Sequence, residues 1–465
     1  MNTSGSPPMI DAQLSGLPQP DRRFAITAVL AAMSLVVLDA GMVNVAMPSI
    51  ADALMAKPSE VVVVVTAYQT ALVMALLPCA ALGERFGNRL VFQAGVCLFL
   101  LGSLLCAAST SLPWLIAARF VQGLGGAAVM ALGIALLRFT VAHDRLGTAV
   151  GWNALTVALC SAAAPTTGAL VIAQADWQWL FLLSVPTSLV ALFASRFLPT
   201  TAPGGKALDL PSMSLNAAGF GLLVLAVEAL HHMPFSALGL GAGAVIAFVL
   251  LLRREGKKPA PLFPLDLLRE RSFGRSVVAS VCCFTGQTAA LIALPFYLQH
   301  GLGLSPLTVA FYLSPWPIAV AVTAGIAGRL SDRIPTAQLC AFGAGLLASG
   351  LAAMAAWPLS ETPFPLLGLS ALCGVGFGLF QVPNNRNMFL NAPPHRSGAA
   401  GGMQGTARLT GQLAGSVLMT ALFVITPLLA APRWGLALGA GFALASGVVS
   451  LIRTSSKEGA AHAAL

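Results

Sequence analysis

Asp39 stands alone in the first long apolar stretch of the chain, within Leu38-Asp39-Ala40-Gly41-Met42-Val43-Asn44, with no basic residue inside a helical turn. An isolated ionisable group inside a bilayer costs about 3 kcal/mol or more, so such groups are rare and usually line a polar pathway or carry protons. Two guanidiniums share the problem. Arg119 lies in the stretch that begins near Pro113, and Arg408 lies in Gly405-Thr406-Ala407-Arg408-Leu409. Each needs a counter-charge, a set of backbone carbonyls or a wet cavity. A lone acid at such depth is a candidate proton carrier. The competing readings are structural: an inter-helix hydrogen bond for Asp39, carbonyl bonding at a kink for Arg119, and snorkelling to the interface for Arg408. Glu228 is the other acid inside an apolar stretch, but it falls near the stretch's end, beside His231 and His232. A peripheral role is favoured for it. Adjacent histidines point to different sides of a helix, and no third ligand is near, so no metal site is expected.

The elements that hold these residues follow from composition. The chain is 57% apolar and only 9% charged, with a mean hydropathy of +0.84. A soluble chain would carry roughly 25% charged residues, so this is an integral membrane protein. Fourteen apolar stretches are long enough to cross a bilayer: about 24–48, 60–82, 90–109, 113–137, 147–173, 178–198, 213–232, 236–252, 276–298, 306–327, 337–357, 363–388, 399–427 and 433–453. An even count puts both termini on one side. With that side cytoplasmic, nearly every loop arginine and lysine falls there, and only Lys57 and Arg433 lie opposite, as retention of basic residues in the cytoplasm requires. The net charge of +9 is thereby a topogenic signal and needs no nucleic-acid partner. Arg22-Arg23 and the run after them do not read as a cleavable signal peptide, because the run is too long and continues through Asp39 and Pro48. The eight cysteines lie in or beside spans without a C-x-x-C pair, so they read as packing residues and not as disulfides or metal ligands.

The organisation predicted is a polar tail (1–21), a six-helix block (22–199), an inserted helix pair with a basic linker (200–271), a second six-helix block (272–456) and a short tail (457–465). The prolines of Pro259-Ala260-Pro261-Leu262-Phe263-Pro264 rule out a continuous helix in that linker. The two blocks repeat a signal in the loop between their second and third spans: Ala80-Ala81-Leu82-Gly83-Glu84-Arg85-Phe86-Gly87-Asn88-Arg89 and Gly328-Arg329-Leu330-Ser331-Asp332-Arg333-Ile334-Pro335. Internal duplication of this kind is how many secondary transporters are built.

This repeated loop resembles the Gly-x-Leu-x-Asp-Arg-x-Gly signature of the major facilitator superfamily, and the flanking motifs resemble its fourteen-helix drug:proton antiporter branch. Leu38-Asp39 through Val43-Asn44-Val45-Ala46-Met47-Pro48 is similar to that branch's first-helix motif. Arg119-Phe120-Val121-Gln122-Gly123 matches the fourth-helix motif, Ala164-Pro165-Thr166-Thr167-Gly168-Ala169 resembles the fifth-helix antiporter motif, and Gly378-Leu379-Phe380-Gln381-Val382-Pro383-Asn384-Asn385 resembles the twelfth-helix segment. Departures exist. Ala164 and Ala169 replace glycines of the fifth-helix motif, Ala80 and Glu84 replace Gly and Asp in the first loop, and Pro335 replaces the trailing Gly of the second.

The resemblance implies an all-α fold of two six-helix bundles plus an inserted hairpin, in the bacterial cytoplasmic (inner) membrane with both termini cytoplasmic. It implies proton-coupled efflux of amphiphilic drugs, biocides or antibiotics by alternating access, with Asp39 and Arg119 coupling the proton. It assigns a conformational latch to Glu84, Arg85, Arg89, Asp332 and Arg333, and an antiporter kink to Pro165 and Gly168. Candidate cavity residues are Asn44, Trp152, Gln287, Tyr297, Asn384 and Arg408. The expected partners are a small-molecule substrate, protons and membrane lipid, in a monomer, with no cofactor beyond the proton gradient. The alternatives are a dedicated exporter of one metabolite, with Arg119 and Arg408 favouring an anion, or a proton-independent facilitator. A membrane enzyme is disfavoured, since no H-E-x-x-H, paired intramembrane carboxylates, Ser-His constellation or nucleotide loop is present.

Overall fold

A computed structural model describes residues 17–142, 145–200, 208–229, 233–256, 258, 265–358, 363–393 and 397–452. The expectations for most of both tails, for Pro259–Pro264 and for His231 and His232 lie outside the described residues. Every expected span is a helix: α1 Asp21–Ala53, α2 Pro58–Phe86, α3 Asn88–Ala107, α4 Leu112–Thr140, α5 Leu146–Gln174, α6 Trp179–Phe197, α7 Leu210–Ala229, α8 Pro234–Glu255, α9 Arg271–Gly301, α10 Pro306–Leu330, α11 Thr336–Ala356, α12 Pro365–Leu390, α13 Ser397–Ile425 and α14 Ala431–Ile452. All fourteen are long and apolar enough to cross a membrane, and the protein is a multi-pass membrane protein. In α10 the helix breaks at Ser314, where Pro315 and Pro317 follow. Proline lacks the N–H that would continue the ladder and clashes with the preceding turn.

The two blocks are wired alike. In the first, α1 packs on α5 and α6, α2 on α4, and α3 on α4 and α6; in the second, α9 packs on α13 and α14, α10 on α12, and α11 on α12 and α14. Contacts between blocks are reciprocal, second helix to fifth: α2 meets α13, and α5 meets α10.

Small residues set this packing, and they recur in register. A Cβ on Gly123 would lie 2.5 Å from the Tyr68 carbonyl oxygen, and one on Gly374 would strike the Trp316 carbonyl oxygen. Two residues on, Gly125 abuts the Gly95 carbonyl and Phe99, while Gly376 abuts the Gly343 carbonyl and Leu347. With little hydrophobic drive between helices in lipid, such backbone approach supplies the van der Waals contact that holds them.

On the side away from the termini, one apolar core serves both blocks, joining Met47 and Ile50 of α1 to Phe296 and Leu298 of α9. There Gln299 Nε2 donates to the Val45 carbonyl at 3.2 Å. Toward the termini the core divides. One cluster belongs mainly to the first block, and two smaller ones lie within the second.

The inserted pair α7–α8 forms a hairpin against α2 and α13. Its termini-side end is tied by charge: Arg254 Nη2 bonds Asp209 Oδ1 at 3.1 Å, Ser212 Oγ donates to the buried Glu255 at 2.6 Å, and Lys258 Nζ bonds Asp209, Glu255 and Ser212.

Candidate proton and substrate site

Asp39 is not isolated in space. The residue is 1% exposed, and both of its carboxylate oxygens are occupied. Arg119 Nη1, also 1% exposed, donates to Oδ2 at 2.5 Å, and Gln122 Nε2 donates to Oδ1 at 2.9 Å. The countercharge that is missing from the neighbouring sequence comes from α4, through the α1–α4 contact.

Arg119 and Gln122 are three residues apart on α4 and so share a helix face. Arg119 Nη1 also donates to Gln122 Oε1 at 2.5 Å, while Gln122 Nε2 donates to Ser103 Oγ on α3 at 2.8 Å. Ser103 in turn donates to the Phe99 carbonyl, and Cys106 Sγ approaches Gln122 Oε1 at 3.8 Å. The guanidinium lies over the Tyr68 ring at 4.1 Å and the Phe181 ring at 5.6 Å. Cation-π contact of this kind strengthens when the cation is desolvated. The result is a dry charge pair with one polar bracket, Gln122, that touches both charges.

A proton added to Asp39 would cancel one half of the pair and leave Arg119 held by Gln122 and two aromatic faces. Tyr68, Ser103, Cys106, Gln122 and Phe181 were not singled out as site residues from sequence. The spacing of Gln122 from Arg119 was a usable signal; the others are brought in by tertiary packing alone.

The remaining candidates disperse. Arg408 reaches from α13 across to α4, its Nη2 3.9 Å from Met130 Sδ, and its buried Nε has no hydrogen-bond partner; the snorkelling reading fails, because the side chain turns toward the other block. Asn44 lies on α1 with its buried Oδ1 unpartnered, and Gln287 is partly buried on α9. The other cavity candidates have different surroundings. Tyr297 is buried and donates its hydroxyl to the Trp357 carbonyl at 3.0 Å, and Asn384 is buried and donates to the Ser276 carbonyl at 3.0 Å, bonds that join helices within the second block. Trp152 is 55% exposed on α5.

Among the loop residues, Arg89 donates to the Leu198 carbonyl at 3.1 Å and Asp332 pairs with Arg386 at 2.7 Å, each inside its own block. Arg85 lies over the Phe86 ring, Arg333 is exposed, and Glu84 is not free of partners. Gly168 brings α5 against Met42, where a Cβ would meet the α1 backbone at 3.0 Å, and Pro165 sits within α5 one turn earlier. Glu228 is exposed on α7 and borders a small crevice with Thr66 and Thr420. No group of three metal-ligating side chains occurs among the described residues.

The register of the two blocks shows what the second one lacks. Gln122 precedes Gly123 as Cys373 precedes Gly374, and Arg119 corresponds in the same way to Ser370. Gly168 faces Met42 as Gly415 faces Thr285, which pairs Asp39 with Cys282. At the second site Ser370 is buried with an unpartnered Oγ, and Phe284 and Phe377 pack edge to face at 5.2 Å.

The family model described as Major Facilitator Superfamily matches residues 29–416. The chain belongs to the major facilitator superfamily. It is 43% identical to the uncharacterized transporter YebQ of Escherichia coli (strain K12) over 420 residues, which cover 88% of this chain and 91% of that one. It is 28% identical to the riboflavin transporter RibZ of Clostridioides difficile (strain 630), covering 83% and 85%. It is 29% identical to the tetracenomycin C resistance and export protein of Streptomyces glaucescens, covering 88% and 76%. In fold it is similar to a crystal structure of the peptide transporter POT in complex with sulfate, with a TM-score of 0.71 at 16% identity, covering 97% of this chain and 98% of that one. The major facilitator fold expected from the repeated loop is thus the fold found, and the chain is a membrane transporter of this superfamily.

Proposed function

We propose that this transporter is a proton-driven exporter of amphiphilic small molecules in the bacterial cytoplasmic membrane, with both termini cytoplasmic, in which Asp39 exchanges the driving proton. The observation that carries the reading is the dry Asp39–Arg119 pair bracketed by Gln122. Protonation at Asp39 from the outer side releases Arg119 from its salt bridge and leaves it on Gln122 and the Tyr68 ring. Loss of that proton to the cytoplasm restores the pair. Breaking a buried pair by deleting one partner costs about 3–5 kcal/mol, enough to bias two packings of a bundle that differ by a few kcal/mol. Export fits the name of the tetracenomycin relative.

In this reading the loops carrying Glu84, Arg85, Arg89, Asp332 and Arg333 latch the cytoplasmic side when the outer side opens. The pairing of Asp332 with Arg386 inside its own block is then the unlatched arrangement. The antiporter kink at Pro165–Gly168 acts where α5 meets α1, and the carrier works as a monomer.

The test is transport in proteoliposomes with an imposed pH gradient. Asp39→Asn is expected to lose uphill movement while still binding substrate. Uphill transport retained by Asp39→Asn overturns the mechanism. A second reading, export of one acidic metabolite, is favoured by the Arg408 guanidinium, which reaches the other block and makes no salt bridge among the described residues. Arg408→Gln separates the two: loss of transport confined to acidic substrates supports this second reading.

A further inference from the structure

At the termini-side end of the second block, α9 and α14 flank an open cavity of about 600 Å³ lined by Leu268, Arg269, Arg271, Gly274, Arg275, Val278, Val449 and Ile452. Three guanidiniums stand on this rim, and the charge pair of the first block has no part in it. Gly274 makes the arrangement possible. A Cβ there would lie 2.6 Å from the Leu268 carbonyl oxygen, so only glycine lets the short helix Leu265–Arg269 fold back onto the start of α9. That approach puts Arg269 beside Arg271 and Arg275, which share a face of α9 at four-residue spacing.

The lining changes character with depth. Val278 follows Arg271 and Arg275 down the same face, and Val449 lies a turn deeper than Ile452 on α14. Charge sits at the helix ends and apolar wall below it. None of the three arginines forms an ion pair among the described residues. Arg275 Nη1 donates to the Ile452 carbonyl at 2.8 Å, which ties α9 to α14 but neutralises nothing. The neighbouring Glu270 directs its carboxylate to the Phe273 N–H as a helix cap. Three guanidiniums gathered on one rim repel one another, and guanidinium is the group that binds phosphate bidentately.

We propose that this cavity is a binding site for an acidic phospholipid, its phosphate held by Arg269, Arg271 and Arg275 and its acyl chain lying along Val278 and Val449. Free phosphate would use the rim alone. A lipid uses the rim and the apolar wall together, and the position at the ends of two spans is where a headgroup lies.

The full-length protein, purified and stripped of lipid in detergent, is titrated with phosphatidylglycerol, with phosphatidylcholine of the same chains, and with glycerol 3-phosphate, and bound lipid is counted by native mass spectrometry. Phosphatidylglycerol is expected to bind at least about tenfold more tightly than either of the others. Arg269→Gln with Arg271→Gln should abolish that preference, and Val278→Trp should weaken the lipid while leaving the rim charge intact. Arg275 is spared because its bond to Ile452 is structural. Equal binding of both lipids overturns the proposal. Glycerol 3-phosphate binding as tightly as the lipid also overturns it, as does an unchanged preference in the double variant, provided circular dichroism shows it folded.

Discussion

The two blocks of this transporter share one helical wiring and one pattern of close glycines, yet among the described residues only the first carries a buried ion pair. Where block one has Asp39, Arg119 and Gln122, block two has Cys282, Ser370 and Cys373 at corresponding positions. The second set packs helices of similar lengths against one another with no ion pair at these positions. The scaffold therefore does not require the pair, and a buried ion pair is weak evidence of stability in any case, because desolvation offsets its Coulombic gain. Under the proposed mechanism, this asymmetry assigns proton exchange to the first block and leaves the second as its structural counterweight.

Transplanting the second block's residues into the first strikes hardest at this comparison. Asp39→Cys with Arg119→Ser and Gln122→Cys is expected to fold, with an unfolding temperature in detergent close to that of the native chain. Proton-driven transport should fall at least about 100-fold, or roughly 2.7 kcal/mol. Failure of this variant to insert or fold would mean that the charges are scaffold after all.

A smaller effect should treat the blocks equally. Gly123→Ala and Gly374→Ala each force a methyl against a carbonyl of the neighbouring helix, and overpacking of this kind costs about 1–3 kcal/mol. Thermal unfolding should show similar losses for both. A loss confined to one block would show that their packing is not equivalent.

Gln122→Leu keeps the volume of the bracket but removes its bonds to both charges. About a tenfold loss of coupled transport is expected, the usual size for a group that orients a functional one. The apparent pH midpoint of transport should move as well, which a purely structural role would leave in place.

Asp332→Asn removes an exposed pair with Arg386. Because such pairs contribute about 1 kcal/mol at most, stability should hardly change. Any effect belongs in the rate of reorientation, read by stopped-flow transport.

Fold and topology were legible because bilayer thickness converts directly into span length, and because the repeated Leu-acid-Arg loops reported the duplication. All fourteen stretches became helices within a few residues of their expected ends. Asp39 was legible too, since an acid in lipid needs an explanation. Its environment was not. Ser103, Tyr68 and Phe181 belong to three other helices, and their meeting depends on which face each helix turns inward. Apolar residues on nearly every side of such spans hide that choice. The partners of Tyr297 and Asn384 were hidden for a related reason: a polar group in a span signals a need for a partner, and here a backbone carbonyl one helix away meets it. The break in α10 was foreshadowed by Pro315 and Pro317, whereas the correspondence of the blocks became visible only when each glycine could be matched to the carbonyl it faces.

The clasp at the end of the inserted hairpin bears on how a fourteen-helix carrier can arise from a twelve-helix plan. Asp209 at the beginning of α7 is bonded to Arg254 at the end of α8, so the chain joins and leaves the hairpin at nearly the same point. A detour of two crossings that closes on itself changes neither the parity of the spans after it nor the distance its flanking chain must bridge. The second block therefore keeps the orientation it would have without the insertion, and the hairpin can lie against the α2–α13 seam as a self-contained cassette.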